Sequence, residues 1–304
     1  MIYLKNIFNL KTLLLSFSLY LFFILIFHNM SSSHKRSEII NNYFENFDKP
    51  RILILGDSHL GYAIKNKFLK SDDISLAYHG DNLYNWYIYY NFFVDSGKIP
   101  DYVFIESGNH LMSEKRFTDS SSLIGHFNYI LLNKNNFDFV GYKKFIKITL
   151  LTLFPFISDS TPNAVRTFFK MTSDYDKNHN IISRLSLDYF QKDYEFVDNE
   201  EIISKRTNLL YSKKSTQFIE KYKKLIGFFI SNGSKVYLIN SPLHSKVQSQ
   251  QNDYIFKQLN NNQVKLLDFT ESIPDSMFND IDHIKSIHSQ YFTDLFYDKL
   301  NFNE

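Results

Sequence analysis

The chain of 304 residues contains no cysteine. That excludes disulfides, cysteine-ligated metal centres and a lipid-modified N-terminal cysteine. It also lacks an excess of either charge. Lys and Arg total 34, Asp and Glu total 32, and the formal net charge is +2. The lysines are scattered rather than gathered into a stripe, so the chain does not read as a nucleic-acid binder. It has no internal repeat, no low-complexity tract and no H-E-x-x-H spacing that would mark a zinc site. What is present is an ordinary globular balance, with 44% hydrophobic and 22% charged residues. Aromatic content is high at 17%, with 31 Phe and 21 Tyr. The length is enough to bury a large core, as one big domain or two modest ones.

Charge is missing altogether from Thr12 to Phe27, "TLLLSFSLYLFFILIF", and stays missing through "HNMSSSH" up to Lys35. With its flanks this run reaches the roughly 17–25 residues of a membrane span. Lys5 and Lys11 precede it, and no A-x-A-like cleavage site follows. The reading is therefore an uncleaved anchor over residues 12–30, not a removed signal peptide. No polar face interrupts the run, which argues against a buried core helix. Lys35 and Arg36 nearly balance the basic count across the segment. The short basic tail, residues 1–11, places the N-terminus in the cytoplasm and the rest of the chain outside. Residues 31–48 form a linker, with Ile39, Ile40, Tyr43, Phe44 and Phe47 at helical spacing.

Residues 49–304 read as one α/β domain. After Pro50, "RILIL" gives a strand over Arg51–Leu55. Further strands are expected at Ile74–Tyr78, Asp101–Ser107, Lys235–Asn240 and Val264–Phe269. Ser215 opens a helix that runs to about Ile230, and a last helix spans about Ser289 to Leu300. Alternating strands and helices predict a three-layer, flavodoxin-like parallel sheet with helices on both faces. The stretch of about 112–214 breaks this rhythm and is read as an insertion. Within it, Phe145–Ile157 is too short for a confident span and suits a core or lid helix, with an interfacial membrane element as the alternative.

The chemistry gathers at strand ends. The first strand runs directly into Gly56-Asp57-Ser58-His59. In a doubly wound sheet, ligands bind beyond the carboxyl ends of the strands, so Ser58 stands where sites form. A plain turn is the alternative, since Gly, Asp and Ser all favour turns. A nucleophilic serine needs a base, and the base needs an orienter. "NDIDHIKSIHSQYF" offers Asp280 three residues before His283, with Asp282 as a rival orienter that would have to reach back across its own peptide. Gly80 follows the second strand and Asn109 the third; either could donate to an oxyanion or simply form a turn. His59, His79, His110, His283 and His288 near the strand ends make a metal site the main rival. His59 is read first as a pocket-lining, substrate-contacting residue.

In order, "ILILGDSHL", "YHGDN", "VFIESGNH" and "DIDHIKSIHSQYF" resemble the four blocks of the SGNH (GDSL-like) hydrolase family, over about Arg51 to Leu300. The resemblance implies Ser58 as nucleophile, His283 as base and Asp280 as its orienter. It implies the Ser58 and Gly80 N–H groups and the Asn109 amide as oxyanion donors, with His59 and His110 touching substrate and no cofactor or metal. Three positions depart from the family pattern. Ser107 replaces a glycine, His110 an aspartate, and His288 a late glycine. "LINSPLHS" is similar to segments of membrane-tethered envelope members that act in polysaccharide O-acylation and teichoic-acid D-alanylation. The implied protein is a single-pass bacterial membrane esterase or O-acyltransferase facing the periplasm or exterior. Its substrate would be an acylated glycan or lipid-linked sugar, and its partner a membrane-bound acyltransferase. The non-enzymatic alternative is a degenerate scaffold or binding subunit of the same fold.

Overall fold

Ile52–Leu55, the Ile-Leu-Ile-Leu run, forms strand β1 and is buried at every position. A strand apolar on both sides must lie inside a covered sheet. In the computed structural model it is an inner strand of a parallel sheet with β2 (Asp73–Ser75), β3 (Tyr102–Glu106), β4 (Lys235–Asn240) and β5 (Val264–Asp268). The five strands are ordered β2-β1-β3-β4-β5, compatible with a flavodoxin-like fold. The structure describes residues 11–20, 48–118, 126–153, 215–247, 254–259 and 264–300, with isolated positions and pairs between them.

Parallel strands need crossover connections, and helices supply them. The helices that matter here are α1 (Ser58–Ala63), α2 (Leu83–Asp95), α3 (Thr216–Ser231) and α4 (Ser289–Leu300). Alternate residues of a strand point to opposite faces. Ile52, Ile54 and Phe104 share one apolar cluster with Leu60 and Tyr62 of α1 and Phe292 and Phe296 of α4. Leu53, Leu55, Val103 and Ile105 take the other face and are equally buried. On α2 and α3, Tyr90 meets Phe229 at 4.4 Å and Tyr87 stacks on Phe228 at 4.5 Å. Helix α2 was not expected from the sequence, because most of its residues are buried and it shows no polar stripe. Strand β2 is shorter than expected, although Leu76 and Tyr78 still donate to Ile54 and Gly56 carbonyls beside it.

The chain divides into two compact units, one of Met1–Glu38 with Leu123–Asn180 and one of Ile39–Ser122 with Ile181–Glu304. The sheet belongs to the second. The first contains helices Phe127–Leu132, Lys134–Val140 and Tyr142–Leu153, with Ile130, Phe139, Val140 and Ile148 buried. Residues 11–20 are helical and expose Leu13, Leu14, Leu15, Phe17 and Leu19. Among the described residues no helix is long and apolar enough to cross a membrane. Most of the expected anchor's second half, residues 23–30, lies outside the described residues, as do Phe44 and Phe47 of the linker. Ile39, Ile40 and Tyr43 of the linker are helical and buried.

Candidate active site

All five strands present their C-terminal ends at one edge, and the strand order reverses between β1 and β3. That is the switch point where open α/β sheets form sites. The turn after β1 is tight. A Cβ on Gly56 would stand 2.7 Å from Leu60 Cδ1 and 2.8 Å from Glu106 Oε2, so only glycine fits. The single tryptophan, Trp86, donates its indole N–H to the Gly56 carbonyl at 3.1 Å. Asp57 caps α1, its Oδ1 accepting the His59 N–H at 2.8 Å. Ser58 is therefore the first residue of the helix, outside the i−4 hydrogen-bond ladder at its N–H.

The second component is a short hairpin-like loop. Phe278 and Ile284 form an antiparallel bridge, the Asn279 N–H donates to the His283 carbonyl at 2.8 Å, and the Lys285 N–H donates to Met277 at 2.8 Å. At its tip, Asp280 Oδ1 accepts the backbone N–H groups of Asp282 (3.2 Å) and His283 (2.9 Å). This fixes the carboxylate before it meets the ring. His283 Nδ1 lies 3.0 and 3.1 Å from the two Asp280 oxygens, and His283 Nε2 lies 2.8 Å from Ser58 Oγ. One tautomer satisfies both ends: Nδ1–H donates to Asp280, and Nε2 accepts the Ser58 hydroxyl. Asp193 holds the far side of the loop. Its carboxylate accepts the N–H groups of Ser286 (2.7 Å) and Ile287 (3.1 Å). Nothing in the local sequence pointed to Asp193, since it lies in the unmatched middle of the chain.

Asp282 does not replace Asp280; it bridges two histidines. Its Oδ1 is 3.3 Å from His283 Nδ1, and its Oδ2 is 2.9 Å from His59 Nε2. Behind this pair lies a buried network. His59 Nδ1 is 3.4 Å from Glu106 Oε1 and 3.9 Å from Asp57 Oδ1, which are charge contacts rather than well-formed hydrogen bonds. His110 Nε2–H donates to Asp57 Oδ2 at 3.0 Å, and Arg116 also contacts that oxygen. Glu106 accepts the Ser241 hydroxyl at 2.7 Å and the Asp57 N–H at 2.7 Å. The His59 and His110 rings lie 3.9 Å apart.

Burial works against every charge in this network, and the partners decide the outcome. Burial alone would raise the Asp57 carboxyl, but Arg116, His59 and His110 hold it well below its ordinary value. Burial would lower His59, but Asp57, Asp282 and Glu106 raise it well above the usual histidine value. His110 goes the other way, lowered by burial and by the neighbouring His59 charge. The two neighbouring rings are thus pushed in opposite directions, His59 towards the imidazolium and His110 towards the neutral imidazole.

The family-like blocks thus land as follows. Ser58, His283 and Asp280 meet in one hydrogen-bonded chain. Gly80 sits in the turn after β2 with φ +78°, and Asn109 opens the short turn Asn109–Met112 after β3. Both strands flank β1, so the two residues stand on either side of the Ser58 strand. Ser107, where the family has glycine, is absorbed by β4: its hydroxyl donates to Asn240 Oδ1 at 2.8 Å. His59 and His110 are 3% and 1% exposed, and their rings turn inward to carboxylates rather than to an open pocket. Of the five histidines weighed as metal ligands, His79 is exposed and His288 lies in the turn Ser286–His288. Asp57, His59, Glu106 and His110 do bring ligand-type atoms within 4.8 Å of one another, as do His59, Asp282 and His283. The Asp57 and Glu106 oxygens already accept from Arg116, Ser241 and backbone N–H groups, whereas among the described residues His59 Nδ1 and Asp282 Oδ1 are buried with charge contacts only and no hydrogen bond. No protein-family model matches the chain, and no curated protein matches it either.

Proposed function

We propose that the chain is a serine esterase or O-acyltransferase of the SGNH (GDSL-like) type. The observation that carries this reading is the continuous chain Ser58 Oγ to His283 Nε2 at 2.8 Å and His283 Nδ1 to Asp280 at 3.0 Å. In this reading Ser58 Oγ attacks an acyl carbonyl while His283 Nε2 takes its proton. The carbonyl oxygen becomes an oxyanion, met by the Ser58 and Gly80 N–H groups and the Asn109 amide. The imidazolium of His283, held by Asp280, then protonates the leaving alkoxide as the C–O bond breaks. An acyl-serine remains. Water deprotonated by His283 releases the acid, which is esterase activity; a sugar hydroxyl in its place gives O-acyl transfer. The apolar segment Thr12–Phe27 supports a membrane-tethered enzyme working on small acyl esters, such as acetyl esters, of envelope glycans. His59 and His110 are reassigned here from substrate contact to the ion network that backs the catalytic loop.

The test is covalent labelling with a fluorophosphonate, followed by hydrolysis of a small activated acetyl ester. The parent should label once, at Ser58, and Ser58→Ala should neither label nor turn over. A folded parent that resists the probe and leaves the ester intact would move the reading to a scaffold subunit of the same fold.

A further inference from the structure

Exposed apolar side chains are not spread evenly over this protein. Among the described residues thirteen large ones are exposed, and only Ile287 and Tyr291 belong to the unit that holds the sheet. Six lie between Leu13 and Phe22, and the other five are Leu131, Leu132, Tyr142, Ile146 and Leu150. These five share a compact unit with the N-terminal apolar segment.

The helix Tyr142–Leu153 shows why the pattern matters. Its inner face is settled by Ile148, which is fully buried, and by half-buried Phe145. The outer face of such a helix should be polar if it meets water. Instead Tyr142, Ile146 and Leu150 recur every four residues and are 68%, 39% and 48% exposed. Lys143 and Lys147 run beside them, one residue on, and both are exposed. From 127 to 153 there are four lysines and one acidic residue, Asp138, which Lys134 pairs at 2.6 Å. An outward apolar stripe with a basic margin is the pattern of a helix lying in a membrane interface. The basic margin also selects the lipid, because lysines near a bilayer are drawn to anionic headgroups.

We propose that the helix Tyr142–Leu153 lies flat on an anionic lipid bilayer. Tyr142, Ile146 and Leu150 enter the boundary between headgroups and acyl chains, and Lys143 and Lys147 meet the lipid phosphates. This surface is independent of the chemistry at Ser58.

The absence of cysteine makes the test direct. Ile146→Cys or Leu150→Cys places a single label in the full chain, and Glu220→Cys on α3 serves as the water-facing control. Each labelled protein is reconstituted in vesicles of phosphatidylglycerol and phosphatidylcholine. The fluorophore is then challenged with a lipid-borne nitroxide and with aqueous iodide. Labels at 146 and 150 should respond to the nitroxide at a depth of about 5–10 Å and be shielded from iodide, with the reverse at 220. Lys143→Glu combined with Lys147→Glu should restore iodide access in the anionic vesicles. Two results overturn the proposal. One is equal iodide quenching at 146, 150 and 220. The other is shielding of 146 and 150 from both quenchers, which would mark a protein partner on this face. Matching thermal melts for the labelled chains and the parent exclude misfolding as the cause.

Discussion

Replacing His59 by glutamine isolates one charge beside the proposed catalytic base. Glutamine keeps a donor for Asp282 but removes the imidazolium that Asp57, Asp282 and Glu106 favour against burial. Asp282 is then left uncompensated, with its Oδ1 3.3 Å from His283 Nδ1. Two carboxylates now face one imidazole, and both favour its protonated form. The His59 and His283 rings are 5.0 Å apart. One unit charge removed at that distance, at an effective dielectric of about 20, is worth about 3 kcal/mol, an upper bound of about two pH units. Relaxation of Asp282 reduces this to about one unit. A base that stays protonated to higher pH cannot accept the Ser58 proton, so the acid limb of kcat/KM should move up by about one unit. The assay is kcat/KM for an activated acetyl ester from about pH 5 to 9. Asp282→Asn should move the limb down, and the double variant should return it close to the parent. Tyr62, whose ring lies 5.0 Å from His283, and the remaining charged neighbours, Asp57, Glu106, His110, Arg116 and Asp280, are unchanged throughout. A folded His59→Gln enzyme whose acid limb sits within about 0.3 unit of the parent would refute the coupling, because that is far below one neighbouring charge.

The same histidine links pH to stability. Folding raises its proton affinity, so its contribution is whole below about pH 6.5, the unfolded value, and fades as pH rises through the raised folded value. Denaturant unfolding across alkaline pH should show this loss in the parent and a flatter profile in His59→Gln. Asn109→Ala should lower kcat by about 10²–10³ with little change in KM, since an oxyanion donor acts in the transition state; kcat within about twofold of the parent would make it a turn residue only. Gly56→Ala should cost about 1–3 kcal/mol by thermal unfolding, because the new methyl would meet Leu60 and the fixed Glu106 carboxyl at 2.7 and 2.8 Å. Asp193→Ala should leave the sheet intact by circular dichroism yet slow fluorophosphonate labelling by up to about 10²-fold, as the loop that aims His283 loses its outer anchor.

What the sequence disclosed followed from how local each signal was. Strands β1, β3, β4 and β5 were legible as apolar runs closed by turn residues, and helices α3 and α4 as periodic stripes. The three-residue spacing of Asp280 and His283 was legible because one loop carries both. Helix α2 was not, because burial on nearly every side erases the amphipathic period. Glu106, Arg116, Ser241 and Asp193 were not legible either. Each acts through partners far away in sequence, and no spacing rule reports such a pairing. Glu106 did leave one trace, a charged residue closing the buried run Val103-Phe104-Ile105. The inward turn of His59 and His110 was hidden for the same reason: sequence position puts them at the strand ends, and only the packed carboxylates decide which way they face.

Ser58 and His283 are 225 residues apart. A ribosome adding about 5–20 residues per second takes on the order of 10–45 s to travel from one to the other. Throughout that interval the emerging chain displays its serine without a base. Nor can the base be supplied early by a fragment, since Asp280 and His283 share a loop that precedes only the final helix. On the proposed reading, a polypeptide that stops short of Asp280 carries Ser58 with no group to take its proton.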